Sequence, residues 1–354
     1  MENITLTGID LSKSVFEVRS ENHTGRLVRR GKMSREKLLK YVQQLPRGST
    51  VVMEACGSAH FWARTFAGMG LKPKLIAPQF VSPFRKSQKN DRNDAEAICE
   101  AARRPGMRFV GIKNEEQLDM QALHRALERL ITNRTALVNQ LRNFLFERGV
   151  TIPLGVSQFK ERMVDVLMQF GEHANFGFII KQLWEEFCSC DARIQLFDKQ
   201  IKSAARANED CRKILKIAGV GEKGATALVA FIGKPESFKN GRCLAAALGL
   251  VPRQFSTGGK TVLGGITKAG DGYIRKLLVH GARSVVRFAL QKEKTDAESL
   301  WIRKLHERRG ANRTAVALAN RIARHAWAIL AGKSPIEAAL PLAALPGEAS
   351  MSAA

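Results

Sequence analysis

The apolar positions of the chain change period along its length. Residues 3–8, 14–20 and 25–30 are short runs of alternating or β-branched character broken by Ser, Asn and Gly, and they predict a small antiparallel meander. Ser34 with residues 37–42 starts a helical pattern. Residues 50–54 then read as an apolar strand, a helix begins near 59, and residues 74–77 read as a further buried strand. Three antiparallel strands followed by alternating helices and strands predict an α/β layer with a mixed sheet. From about 115 to 149, Leu118, Leu123, Leu127, Leu130, Leu137, Leu141 and Leu145 recur at helical spacing, and a second helical stretch runs from about 176 to 208. The two stretches predict either an antiparallel coiled coil or two core helices of one bundle, separated by a loop containing Pro153 and Gly155. From Cys211 to about Gly332 the pattern stays mostly helical, and the Ala, Pro and Ser-rich tail beyond it reads as poorly ordered.

These changes divide the 354 residues into an α/β domain (1–112), a helical linker (113–208), a mostly α C-terminal domain (209–335) and a flexible tail (336–354). Charge adds a partner. The chain carries 57 Lys+Arg against 33 Asp+Glu, a net +24, and a field of that sign attracts polyanions. Residues 251–333 hold 17 Lys+Arg against 5 Asp+Glu, half of that charge, so nucleic acid is expected against this segment; a solvated basic surface is the plainer alternative. No apolar run approaches the roughly 20 residues of a spanning helix, and the N-terminus lacks a signal peptide's apolar segment. A cytoplasmic, nucleoid-associated protein without a membrane partner is expected. Cys56, Cys99, Cys188, Cys190, Cys211 and Cys243 read as reduced thiols, since the Cys188-Ser189-Cys190 pair has no second pair or nearby His to complete a zinc site.

Candidate chemistry begins with four acids. Asp10 follows the first apolar strand and Glu54 ends the run Val51-Val52-Met53, so both sit at strand ends, where a carboxylate in an apolar setting needs neutralising. Asp91 and Asp94 are three apart, on one helix face. Together the four could hold Mg²⁺, which prefers oxygen ligands and phosphate substrates. Taken singly they read as a turn residue, a strand-end charge and a helix cap.

Residues 217–224 contain G-x-G-x-x-G, but the preceding 211–217 reads as a helix where a dinucleotide fingerprint needs a strand. A Gly-rich turn between helices resembles instead a helix-hairpin-helix near 214–232, with Gly219, Gly221 and Lys223 gripping phosphate; a purely structural αα-turn is the alternative. Gly258-Gly259-Lys260-Thr261 lacks the first glycine of a Walker A loop, so ATP binding is not expected. Ser256 and Thr257 lie between Arg253 and Lys260 in what reads as a flexible basic loop, 253–260. There a hydroxyl could approach a phosphodiester, though a plain Gly-Ser loop reads as well. Arg253, Lys260, Lys268 and Arg275 are candidate phosphate contacts by charge and position.

GIDLSK at 8–13, VVMEACG at 51–57, KNDRNDAEAI at 89–98 and the long string from Gly249 to Arg283 resemble the insertion-sequence transposases of the IS one-ten group, and within it the IS eleven-eleven branch. The likeness spans about residues 5–335. It implies a RuvC-like, RNase H-type N-terminal domain whose DEDD acids are Asp10, Glu54, Asp91 and Asp94. It also implies a C-terminal transposase domain with a catalytic serine that attacks DNA and forms a phosphoserine intermediate. That serine falls on Ser256, with Thr257 the alternative one residue away. The resemblance further implies a non-coding RNA pairing with donor and target DNA, and homo-oligomers with composite active sites. Two other readings stand beside it: a RuvC-type junction nuclease that hydrolyses DNA without a covalent intermediate, and a non-catalytic nucleic-acid-binding protein.

Overall fold

The computed structural model describes residues 4–85, 91–291 and 296–333, with the side chains of Asp91 and Arg92 outside the described set. The tail expected to be flexible, 336–354, also lies outside the described residues. By density of contacts the chain divides into two units, residues 1–118 with 232–239, and residues 119–231 with 240–354.

The first unit is built on β1 (Leu6–Asp10), β2 (Val15–Glu21), β3 (Leu27–Ser34), β4 (Thr50–Glu54), β5 (Lys72–Ile76) and β6 (Phe109–Val110), in the order β3-β2-β1-β4-β5-β6. The β1–β3 meander is antiparallel, β4 lies parallel to β1 and β5 parallel to β4, and β6 closes the edge antiparallel. The sheet is mixed, as the alternation predicts; β6, two residues long, carries no periodicity to read.

Helices cover both faces. Against α1 (Arg35–Gln43) and α2 (Ala59–Gly68) the sheet presents Ile9, Phe16, Val18, Val51, Met53 and Leu75, with Trp62 packed edge-on to Phe16 at 5.1 Å. Thr7 and Ser20, buried on the sheet, close a hydroxyl chain to Tyr41 at 2.9 and 2.6 Å, so no oxygen is stranded there. The other face carries Leu6, Val52 and Ile76 against Ile98 and Ala101 of α4 (Asp91–Arg103), beside the short α3 (Pro78–Val81).

Gly8 decides how closely α4 can lie. A Cβ there would stand 2.5 Å from Cys99 Sγ and 2.9 Å from the Ala95 carbonyl. Only a hydrogen lets α4 cross β1 at that point, and the crossing carries Asp94, next to Ala95, towards the ends of β1 and β4. Gly8→Ala should therefore cost about 1–3 kcal/mol of stability by overpacking. Chemical denaturation would measure it, and a loss below about 0.5 kcal/mol would mean that α4 can shift freely.

α5 (Glu115–Phe146) begins in the first unit and continues in the second. There it packs with α6 (Val156–Phe170) and α7 (Ala174–Ala207): Leu137, Leu141 and Leu145 meet Phe159, Met163, Ile180 and Phe187, while Leu127 and Leu130 meet Cys190, Ile194 and Ile201. The pairing of early α5 with late α7 makes the two antiparallel. Asp191 ties the three helices by accepting from Arg134 and Lys160, each at 2.6 Å. No helix was expected at α6, yet Phe159, Met163, Val166 and Phe170 recur at helical spacing and fill its buried face.

The rest of the second unit comprises α8 (Glu209–Leu215), α9 (Glu222–Ile232), α10 (Gly241–Ala247), the hairpin β7 (Pro252–Thr257) and β8 (Lys260–Ile266), α11 (Gly272–Gln291), α12 (Ala297–Arg309) and α13 (Ala311–Leu330). The hairpin corrects the expectation of a flexible loop at 253–260. Gly258 and Gly259 take φ of +54° and +77°, the left-handed pair that a two-residue hairpin turn requires. β-branched residues flanking Gly-Gly, Thr257 on one side and Thr261 and Val262 on the other, are the signal in the sequence.

His124 of α5 pins this unit internally, meeting Tyr273 Oη and Thr226 Oγ1 at 2.9 Å each, so one imidazole joins α5, α9 and α11. Burial, and after it the Lys223 charge, push His124 down to about 4. The imidazole is thus neutral in the folded state at pH values where the unfolded one, near 6.5, takes a proton. Stability is complete above the unfolded value and falls as pH drops from 6.5 towards 4. At pH 5 His124 should account for a loss of about 2 kcal/mol, and His60, also pushed down to about 4, titrates in the same window. Melting temperatures at pH 7.5 and 5 should show a smaller drop for His124→Gln than for the unmodified chain; equal drops would contradict this assignment.

Candidate active site

The strand period puts alternate residues of β1 and β4 on the face that α4 covers. Gly8 and Val52 contact that layer, so Asp10 and Glu54, two residues further on, lie on the same face at the ends of adjacent parallel strands. Asp94 comes to them from α4 and is only 6% exposed. Both Asp10 and Glu54 are close enough to Cys56 for their charges, after burial, to push its thiol up. Three of the four acids therefore converge on one end of one sheet face; the Asp91 side chain lies outside the described residues.

Between two of them stands a residue the sequence does not single out. Arg85 places Nη2 3.1 Å from Glu54 Oε1 and Nε 2.6 Å from Asp94 Oδ1. The first approach is a hydrogen bond. The second has the distance of an ion pair without hydrogen-bond alignment, which leaves Asp94 Oδ1 and Arg85 Nε buried with no hydrogen-bond partner among the described residues. Glu17 is a second neighbour, directly across from Asp10 in the β1–β2 register and paired to Arg30 at 3.6 Å. Like charges opposite each other in a sheet repel, and Arg30 offsets the cost. Among the described residues no three carboxylate, thiol or imidazole groups come close enough to cage an ion. The donor set nevertheless fits a hard divalent cation: its members are carboxylate oxygens, and one of them, Asp94 Oδ1, is buried and among the described residues is met by the Arg85 charge without an aligned hydrogen bond.

The remaining candidates belong to the second unit. Gly219, at φ +85°, is held against α11, where a Cβ on Gly281 would fall 1.8 Å from the Gly219 carbonyl oxygen. Gly221 faces open space and accepts the Ala225 amide, starting α9. Lys223 pairs with Asp198 of α7 at 2.7 Å. Ser256 is exposed on β7, its Oγ accepting from Gln254 Nε2 at 2.8 Å, with Thr257 on the opposite strand face. Arg253 and Lys260 are exposed on the same hairpin, and Lys268 is exposed beyond its foot in a left-handed conformation, φ +54°. Arg275 Nη1 donates to the Leu248 and Ala269 carbonyls at 3.0 and 2.9 Å, bracing the hairpin's base. Every residue from Pro252 to Gly265 is exposed, Phe255, Val262 and Leu263 among them.

Residues 7–148 match a transposase family of DEDD type, and residues 211–297 match the family described as Transposase IS116/IS110/IS902. The chain is 43% identical over 332 residues to a protein of Coxiella burnetii named transposase for insertion sequence element IS1111A, covering 93% of this chain and 90% of that one. It is 43% identical to a probable family 20 transposase of Pseudomonas aeruginosa (93% and 97% covered) and 37% identical to the transposase for insertion sequence element IS1328 of Yersinia enterocolitica (93% and 97% covered). With both segments matched and such likeness along nearly the whole length, this chain belongs to the IS110 family of insertion-sequence transposases.

Proposed function

We propose that this transposase cuts and rejoins DNA with Asp10, Glu54, Asp91 and Asp94 as the ligands of Mg²⁺ and Ser256 as the nucleophile. The observation that carries the reading is the convergence of Asp10, Glu54 and Asp94 at one end of the sheet face under α4. A divalent ion bound there supplies electrostatic stabilisation for charge developing on a phosphodiester. The chain's own residues do the rest. Arg253, Lys260 and Lys268 hold the DNA backbone by charge, the α8–α9 turn acts as a helix-hairpin-helix offering backbone amides to phosphate, and the exposed hairpin presents the hydroxyl. As the Ser256 Oγ–P bond forms, a P–O bond to deoxyribose breaks; the serine proton passes to solvent and the departing sugar oxygen is protonated. A deoxyribose hydroxyl later attacks the phosphoserine, releasing Ser256 and joining the new strand.

The regions 1–112, 113–208 and 209–335 are proposed as RuvC-like catalytic domain, coiled-coil arm and serine-bearing domain. The acids and the serine belong to different units, and homo-oligomers joined through α5 and α7 would make composite sites. A non-coding RNA of the element is the proposed guide, pairing with donor and target DNA in the cytoplasm at the nucleoid. Incubating the purified protein and its co-purified nucleic acid with donor and target DNA should give joined products with Mg²⁺ and none with chelator. Sequencing the co-purified RNA should reveal complementarity to both DNAs. Hydrolysed strands without joined ones would favour a junction nuclease.

Arg85 gives a separate test. It serves here as the counter-ion of Glu54 and Asp94, and a bound divalent ion takes over that role. Arg85→Gln should destabilise the protein in chelator by about 1–3 kcal/mol, less than a fully buried pair because the guanidinium is partly exposed. The same variant should bind Mg²⁺ about tenfold more tightly, because the ion no longer displaces a cation. Calorimetric titration reads the affinity, and an unchanged or weaker value would refute the counter-ion role.

A further inference from the structure

The second unit holds a cavity of about 740 Å³ that the proposed chemistry does not use. It opens between α10, α12 and α13, and its lining includes Trp301, Trp327, Arg242, Arg321, Arg324 and His325. The volume is that of a small-molecule site. The lining is unusual for one, since two indoles stand among three guanidiniums with no carboxylate between them.

The groups are arranged for stacking. Arg321 lies over the Trp301 ring, its Cζ 5.1 Å from the centroid, and is held from behind by Glu298, 3.0 Å away and only 5% exposed. The Arg321 side chain is 46% exposed, so the guanidinium is anchored yet presents a face to solvent. Trp327 is buried to 7% exposure and forms a fixed apolar part of the wall. Gly241 allows α10 to approach α13 closely, because a Cβ there would come within 2.9 Å of the Arg324 backbone. Burial and the Arg321 charge push His325 below the usual imidazole range, so at neutral pH it is an uncharged ring able to donate and accept one hydrogen bond each.

We propose that this cavity receives one unpaired nucleotide of a single-stranded nucleic acid, its base stacked on Trp301 and Arg321 and its phosphate held by Arg242 and Arg324. Paired bases are hidden in their own stack and show a protein surface only phosphates and groove edges. A concave site with indole and guanidinium planes gains contact only with a base that has left the stack. Arginine beside an aromatic ring is the combination that serves both parts of a nucleotide, since the guanidinium forks match phosphate and their planes match bases. The inference rests on the chain being a transposase and is independent of the metal and of Ser256.

The test is equilibrium binding of the full-length protein in chelator-containing buffer, which silences any metal-dependent cleavage. The probes are fluorescent single-stranded DNA, single-stranded RNA and a fully paired DNA duplex of the same length. Trp301→Ala should weaken binding to at least one single-stranded probe about tenfold or more while duplex affinity stays within about twofold. Trp301→Phe should retain most of the affinity and shows that a loss is not misfolding. Arg324→Gln should weaken the same single-stranded probe. The probe that responds identifies the strand as DNA or RNA. Unchanged single-strand binding in Trp301→Ala, or equal losses on single strand and duplex, overturns the proposal. Recombination assays with Mg²⁺ are a separate readout, so loss of the metal-and-serine reading would leave this one standing.

Discussion

Ser256→Ala should leave no covalent protein–DNA adduct on a denaturing gel, and strand joining should fall by about 10⁴-fold or more, the scale on which a covalent nucleophile is missed. The β-strand period makes the experiment discriminating. Ser256 and Thr257 point to opposite faces of β7, so one orientation of DNA on the hairpin offers its phosphate to only one of the two hydroxyls. Gln254, on the Ser256 face, donates to Ser256 Oγ at 2.8 Å and orients that hydroxyl. Thr257→Ala should accordingly retain the adduct. If the two variants exchange these phenotypes the nucleophile is Thr257, and if both keep strand joining the covalent mechanism is wrong. Because the hairpin is exposed along its length, either change should move stability by less than about 0.5 kcal/mol, and folding does not confuse the result.

Asp94→Asn should reduce strand joining by about a thousandfold while preserving the shape of the side chain. Several kcal/mol of transition-state stabilisation depend on a metal site, and about 4 kcal/mol corresponds to three decades in rate. Two readouts separate this role from a structural one. Mg²⁺ affinity measured by calorimetry should fall in the variant. Stability in chelator should also fall, since Arg85 loses one of its two carboxylates, but excess Mg²⁺ should restore it less than in the unmodified protein. Activity within about tenfold of the unmodified level would remove Asp94 from the proposed ligand set.

Much of the first unit is legible in the sequence because its signals are local. The alternation in residues 14–20, the apolar run 50–54 and the Ser34 cap each specify an element without reference to the rest, and Ser34 does accept the Lys37 amide. Asp10 and Glu54 stand out for the same reason, as charges at the ends of apolar strands. Short or weak patterns are harder to see. β6 has two residues, and the β7–β8 hairpin hides in a segment whose glycines and basic residues read equally well as a loop.

What the sequence determined by itself is the α/β order of the first region, the helical character of the rest, the basic charge that calls for a polyanion and the acids at the strand ends. Local periodicity and composition are enough for these. Tertiary structure alone decided that Gly8 lets α4 cross β1, that Arg85 stands between Glu54 and Asp94, and that Glu17 faces Asp10. It also decided that Trp301, Arg321 and Arg242 share one cavity. Each of these depends on residues far apart in the chain meeting at a distance set by packing, and no local pattern encodes where a guanidinium will find its second carboxylate.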